Sequence, residues 1–270
     1  MKFDYDKLLK KYPPAAPGIA EIRRLLASGV NATITGADAQ SHEPFKAGTT
    51  ALMLAANFGH TGIVTALIRA GAETNLANSE GFTALKGALR GGHVEIAQSL
   101  IAARANVNIK DMHGKTALHY SCAQPDIKIL KLILDARPDL GALDEDRQSA
   151  LFLPSYNNRA EFASLLLRAG IDPNIKDKGG LTALAWAAQN GARESVRALI
   201  EGKADVNIKS KKGITPLMSA AIKGDLGIIK LLIAAGADAN IAEKGGLVAS
   251  DFAARNNHWA VAAFLRQHMK

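Results

Sequence analysis

Thr-Ala-Leu opens a short apolar stretch at residues 50, 83, 116 and 182. Variants stand in the same register at Ser149-Ala150-Leu151, at Thr215-Pro216-Leu217 and at Val248. Each step is 33 residues, held over six intervals. Such a period marks an array of one supersecondary unit, each copy burying its apolar face only against its neighbours.

One period can be read physically. The Thr or Ser is expected to cap a helix, its oxygen accepting a backbone N–H of the first turn. In Thr215-Pro216 the proline falls at the first helical position, where a missing N–H costs nothing. A short apolar helix follows and stops near a glycine such as Gly59 or Gly92. Ile63, Val64, Leu67 and Ile68 then have the spacing of a second helix. Ala-Gly-Ala closes it at Gly71, Gly170 and Gly236, where a left-handed cap is expected. An extended segment carrying Asn75, Asn108, Asn174, Asn207 or Asn240 leads to a glycine turn before the next Thr.

The period, with Thr116-Ala117-Leu118-His119, Thr215-Pro216-Leu217-Met218, the Gly-His pairs at 59–60 and 92–93, and GADAN at 236–240, resembles the ankyrin repeat. The resemblance covers nearly the whole chain and implies an all-α solenoid. Eight helix-turn-helix units with β-hairpin-like finger loops are expected, with atypical caps at both ends. Residues 1–47 would be an N-terminal cap with a long finger, 48–245 six regular repeats, and 246–270 a C-terminal cap, all in one domain.

Residues 120–160 are the least regular. Pro154 falls inside a first helix, where proline removes a hydrogen bond and clashes with the carbonyl four residues back, so it is expected to shorten or kink that helix. Arg147 replaces a turn glycine, Asn158-Arg159 replaces Gly-His, Pro125 replaces a glycine, and Arg137-Pro138 replaces Gly-Ala. This seam is either drift within the array or a shaped partner site or bend.

Composition narrows the function. Apolar residues make up 48% of the chain, enough for a core. Cys122 is the only cysteine, which excludes an intramolecular disulfide and a cysteine metal cluster. No run of apolar residues is long enough for a membrane span. The N-terminus lacks a signal-peptide segment, so a cytoplasmic location is expected, or a periplasmic one if a leader has been removed. His119, Ser121 and Cys122 adjoin, but Cys122 falls on a core-facing alanine column and His119 on the family's signature histidine. His60, His93 and His258 share a column at the start of the second helix, a turn-stabilising place. No phosphate-cradling G-x-x-x-x-G-K-[ST] occurs. No enzyme, catalytic residue, metal or cofactor is expected.

The resemblance implies that function lies in the positions free to vary. Before the capping Thr these include Phe82, Lys115, Leu181 and Ile214. At the end of the first helix they include Phe58, Arg90, Tyr156 and Gln189. Met112, His113, Lys178, Lys211 and Lys212 lie at finger tips, and Lys178, Lys211 and Lys244 repeat at one period. Phe152 shares a column with Lys86, which argues against deep core, and the broken helix is expected to swing Phe152 and Tyr156 outward. Phe58, Arg90 and Tyr156 are residue types enriched at hot spots.

Together these residues are expected to bind a folded protein partner in a concave groove. The chain would act as a regulator, inhibitor or immunity-type antagonist, for instance by occluding an enzyme's active site. It is expected to be monomeric on its own and to take no small-molecule substrate. A scaffold role, or binding of nucleic acid or another anionic surface through the lysine-rich fingers at a net charge of +8, is the alternative.

Overall fold

The computed structural model describes residues 9–12, 18–31 and 46–269. Fifteen α-helices run through them and no strand forms among the described residues. The fingers are loops, two of them closed by a single antiparallel bridge, Ala77 with Thr83 and Lys176 with Thr182. The expected helix in FDYDKLLKKY and the body of the long first finger lie largely outside the described residues. The chain divides into two compact units, Met1–Asp139 and Leu140–Lys270.

The first unit holds α1 (Ile19–Ser28) and three helix pairs: α2 (Ala51–Asn57) with α3 (Thr61–Arg69), α4 (Ala84–Arg90) with α5 (Val94–Ala102), and α6 (Ala117–Ala123) with α7 (Ile127–Asp135). The second unit holds four: α8 (Phe152–Tyr156) with α9 (Ala160–Ala169), α10 (Ala183–Asn190) with α11 (Arg193–Glu201), α12 (Pro216–Lys223) with α13 (Leu226–Ala234), and α14 (Ala249–Arg255) with α15 (Trp259–Arg266). Within each unit the first helices pack side by side, as do consecutive second helices from α3 to α7 and from α9 to α13. Leu52, Leu85 and Leu118 are at most 1% exposed, as are Leu151, Leu184 and Leu217. Each contributes about 1.5–3 kcal/mol by burial.

Local chemistry sets the helix starts. Thr50, Thr83, Thr182 and Thr215 accept the N–H of the third following residue at 3.2–3.3 Å. At Thr116 the box is closed by His119, whose Nδ1 lies 3.2 Å from the Thr116 backbone nitrogen. Second helices begin at a column where Asp126 and Asp225 cap with their carboxylates. There His93 and His258 instead place a ring nitrogen 3.2 Å from the carbonyl of Asn57 and Ile222.

Three left-handed positions recur along the array, with Pro125 the exception in the column after the first helix. After the second helix, Gly71, Gly170 and Gly236 have positive φ as expected, and so do Arg104, Arg137 and Lys203. In the finger turn Arg147 takes φ 60° where Gly48, Gly81, Gly114, Gly180, Gly213 and Gly246 stand in other repeats. After the first helix Asn158 and Asn257 join Gly59, Gly92, Gly191 and Gly224.

Two hydrogen-bond ladders, one from asparagine side chains and one between main chains, link the layers inside each unit. Asn75 and Asn108 accept, through Oδ1, the N–H of Asn106 and Asp139, and Asn174 and Asn207 accept those of Asp205 and Asp238, at 2.7–2.9 Å. At the finger tips Ser79 donates to Ala47 and Met112 to Glu80 in the first unit. In the second unit Lys178 donates to Asp146, Lys211 to Gly179 and Lys244 to Lys212.

Pro154 shortens its helix as expected, to five residues. Helix α8 starts at Phe152, so Pro154 sits in its first turn, where no N–H has an intrahelical partner. The proline therefore removes no helical bond; Ser155 N–H still reaches the Leu151 carbonyl at 3.2 Å. The expected Ser149 cap does not form. Phe152 N–H takes the Ser149 main-chain carbonyl at 3.1 Å, and the buried Ser149 hydroxyl has no hydrogen-bond partner among the described residues.

Candidate functional site

In the second unit the first helices and the residues before them carry three columns that reach the surface, except at the buried Ser219. Before the capping position come Gln148, Leu181, Ile214 and Leu247, all partly exposed. Four residues after it come Leu153, Trp186, Ser219 and Phe252. Three further on come Tyr156, Gln189, Ile222 and Arg255. Leu153, Tyr156 and Ile222 remain 38–41% exposed. Tyr156 meets Trp186 edge-on at 5.6 Å, and Trp186 Nε1–H donates to Asp177 Oδ2 at 2.8 Å. The Asn190 amide donates to the Tyr156 carbonyl at 2.7 Å, tying the shortened helix to the next. The surface mixes apolar side chains with Gln148, Gln189 and Arg255 and is aromatic at one end.

Finger lysines border it unevenly. Lys178 is engaged by Asp146 at 3.5 Å. Lys211, Lys212 and Lys244 are exposed and form no ion pair among the described residues. Lys176 Nζ donates to the Lys209 carbonyl at 3.3 Å and stiffens the row.

The first unit presents a more polar face. Asn57 Oδ1 accepts from Arg90 Nε and Nη2 at 3.2 and 2.8 Å, and the guanidinium lies 4.7 Å above the Phe82 ring. Phe82 meets Tyr120 edge-on at 6.0 Å, and the Tyr120 hydroxyl donates to Asp111 Oδ2 at 2.8 Å. Burial, with the Asp111 hydrogen bond behind it, pushes the Tyr120 phenol well above its usual pKa. Asp111 Oδ1 accepts the backbone N–H of His113 and of Lys115, fixing that finger turn. Met112, 63% exposed, projects from the finger with His113 and Lys115, also exposed.

The structure corrects one expectation. Phe152 is 3% exposed, as Met53, Lys86, Ala185 and Met218 of its column are also buried, so it offers no contact surface. Lys86 misleads here: its ammonium reaches back to donate to the Gly81 carbonyl at 2.8 Å and stays 1% exposed. Burial lowers its pKa to about 8, with Asp111 opposing the shift. Phe58 is half-buried against Gly18 at the start of α1, where an added Cβ would lie 2.6 Å from its ring.

The fold brings Phe82 and Arg90 together in the first unit. In the second it places Tyr156, Leu181, Gln189 and Ile214 on one face beside Lys211 and Lys212. Trp186, Tyr120, Leu153 and Ile222 went unselected from sequence. The signal for the two aromatics is an aspartate nine residues earlier, Asp177 and Asp111, recurring after two periods. His119 is spent on the Thr116 cap, Ser121 donates to the Leu118 carbonyl at 2.7 Å, and Cys122 is fully buried. The exposed groups are suited to non-covalent contact.

The family profile described as Ankyrin repeats (3 copies) matches residues 19–111, 110–177 and 184–270. The chain belongs to the ankyrin repeat family. Repeats of this kind are generally protein–protein interaction modules, and the fold generally serves as a non-catalytic scaffold. Among solved structures, the ankyrin repeat domain of Bcl-3, titled a unique member of the IkappaB protein family, is 27% identical with a TM-score of 0.72, covering 80% of this chain and 99% of that one. The human ASB11 ankyrin repeat domain is 25% identical with a TM-score of 0.70, covering 80% and 98%. No curated protein matches the chain. No helix among the described residues is long and apolar enough to cross a membrane.

Proposed function

We propose that this chain is a non-catalytic module that grips a folded partner protein with its finger loops and first helices, acting as a regulator, inhibitor or immunity-type antagonist. One observation carries this reading. In the second unit Leu153, Tyr156, Leu181, Ile214 and Ile222 share one face without being buried by the chain's own packing. Exposed large apolar side chains gathered on one face are the kind of surface that marks an interface. Tyr156 suits an anchor of such a site, its ring held by Trp186. The lysines at the border would steer an acidic surface towards it. A partner seated there could have its own active site covered, which needs no chemistry from this chain.

The test is capture from native lysate by the wild-type chain and by a Tyr156→Ala, Leu181→Ala, Ile222→Ala variant with an unchanged circular dichroism spectrum. Captured partner should fall at least about tenfold, since a single hot-spot truncation costs roughly 2 kcal/mol or more. Equal capture would remove this face from the account. Replacing Lys211, Lys212 and Lys244 with glutamate should slow association at low salt and leave dissociation nearly unchanged. If capture instead recovers nucleic acid, lost steeply with salt, the lysine fingers bind an anionic polymer and the protein-binding reading fails.

A further inference from the structure

In the first unit a cleft of about 190 Å³ opens between neighbouring fingers and first helices. Met53 and Leu54 form its apolar lining, the Phe82 ring flanks it, and Arg90 and Lys46 bring positive charge to it. Its origin is local. Gly87 occupies the column that carries Tyr120 and Trp186 elsewhere, so no ring from that column fills this space. Even a Cβ there would lie 3.3 Å from Asn57 Cβ and from the Met53 carbonyl, two groups that line the cleft.

The charges are not balanced in kind. Lys46 and Glu80 neutralise each other at 2.9 Å. The Arg90 guanidinium is bonded only to a neutral amide and an aromatic face, with no carboxylate in ion-pair range among the described residues. Its Nε–H and one Nη2–H go to Asn57, which leaves three of the five guanidinium donors. Asn57 and the Phe82 ring hold the fork in place, so little freedom is lost when it takes a ligand.

We propose that this cleft takes a single acidic side chain, glutamate or aspartate, projecting from the partner protein, with its carboxylate on Arg90. The inference rests on the protein-binding reading and adds what the partner must present. A carboxylate suits the cleft better than a phosphate because Glu80 lies in the same wall and repels a doubly charged group more strongly. A neutral amide could accept from Arg90, as Asn57 does, but would leave the guanidinium charge uncompensated.

The test is NMR titration of the isotope-labelled full chain with N-acetylglutamate N-methylamide, with its glutamine counterpart, and with inorganic phosphate. The blocked glutamate should shift the Arg90 Nε–H resonance and the backbone amides of Phe82 and Arg90, half-saturating in the millimolar range on the order expected for one charged contact. The glutamine counterpart should bind at least about tenfold more weakly. Arg90→Gln should abolish the shifts at an unchanged thermal midpoint, and Arg90→Lys should retain part of them. No shift with the blocked glutamate, equal shifts with glutamine, or shifts that survive Arg90→Gln would overturn the proposal. Stronger shifts with phosphate would overturn it in favour of an inorganic anion. The second-unit triple variant leaves this titration untouched, so a failed partner capture and a failed cleft are distinguishable.

Discussion

Trp186 gives its indole hydrogen to Asp177 Oδ2 at 2.8 Å while the other oxygen of that carboxylate accepts the Leu181 N–H at 2.9 Å. One buried side chain thus fastens a finger turn to the helix that follows it. Two periods earlier Tyr120 and Asp111 make the same arrangement, with the Lys115 N–H in place of that of Leu181. In both, the donor ring meets an aromatic of the preceding repeat edge-on, Tyr156 or Phe82.

Removing the carboxylate with Asp177→Ala should cost about 2–3 kcal/mol, because it orphans the indole and the turn amide together. Asp177→Asn keeps an acceptor and should cost less. Urea denaturation followed by circular dichroism checks the order. Trp186 emission should move to longer wavelength only in the alanine variant, as its ring loosens into water.

Lys86 makes stability depend on pH. Its folded pKa is about 8 against an ordinary 10.5, so from pH 8 to 10.5 the unfolded chain holds a proton that the folded chain does not. Stability therefore rises through that window, and below it the full cost of burying the ammonium is present. Lys86→Met should raise stability at pH 7 by about 1–2 kcal/mol, after the bond lost at the Gly81 carbonyl is set against the charge removed. Thermal midpoints at pH 7 and 9.5 should differ less in the variant than in the wild type. A lower midpoint for the variant at pH 7 would contradict this account.

Arg147 holds a left-handed backbone at φ 60° where the other repeats use glycine. Arg147→Gly should stabilise by about 0.5–1 kcal/mol, the relief of the Cβ clash exceeding the entropy glycine adds to the unfolded chain. Differential scanning calorimetry should show a higher midpoint, and Gly114→Arg should show the reverse.

Ser149 and Thr182 occupy one column and should respond oppositely. Thr182→Ala removes a working cap and should cost about 1 kcal/mol. Ser149→Ala removes a buried hydroxyl with no hydrogen-bond partner among the described residues and should be neutral or mildly stabilising. Chemical denaturation of the two variants checks the contrast.

The array was readable because threonine caps and apolar spacing repeat without a slip, and both act over a few residues. What escaped depended on contacts that cross repeats or on where one long side chain turns. Lys86 suggested an open column, since nothing in its neighbours announces that its ammonium will find a carbonyl five residues back. Ser149 passed for a cap because the late start of α8 is set by Pro154, five residues on. Arg104, Arg137 and Lys203 give no local sign of positive φ; only the glycines at their column elsewhere do. Leu153 escaped notice because its neighbour Phe152 was expected to face outward, whereas the structure buries the phenylalanine and exposes the leucine.

The asparagines that join successive repeats are not equivalent under chemical ageing. Asn207 uses both halves of its amide, accepting from Asp238 and donating to the Gly236 carbonyl at 3.0 Å. Asn174 lends only its oxygen to the following repeat, at Asp205. Hydrolysis of the amide to a carboxylate would pass almost unnoticed at residue 174, while at 207 it would set a negative oxygen against a carbonyl, so old molecules should loosen first where α13 ends.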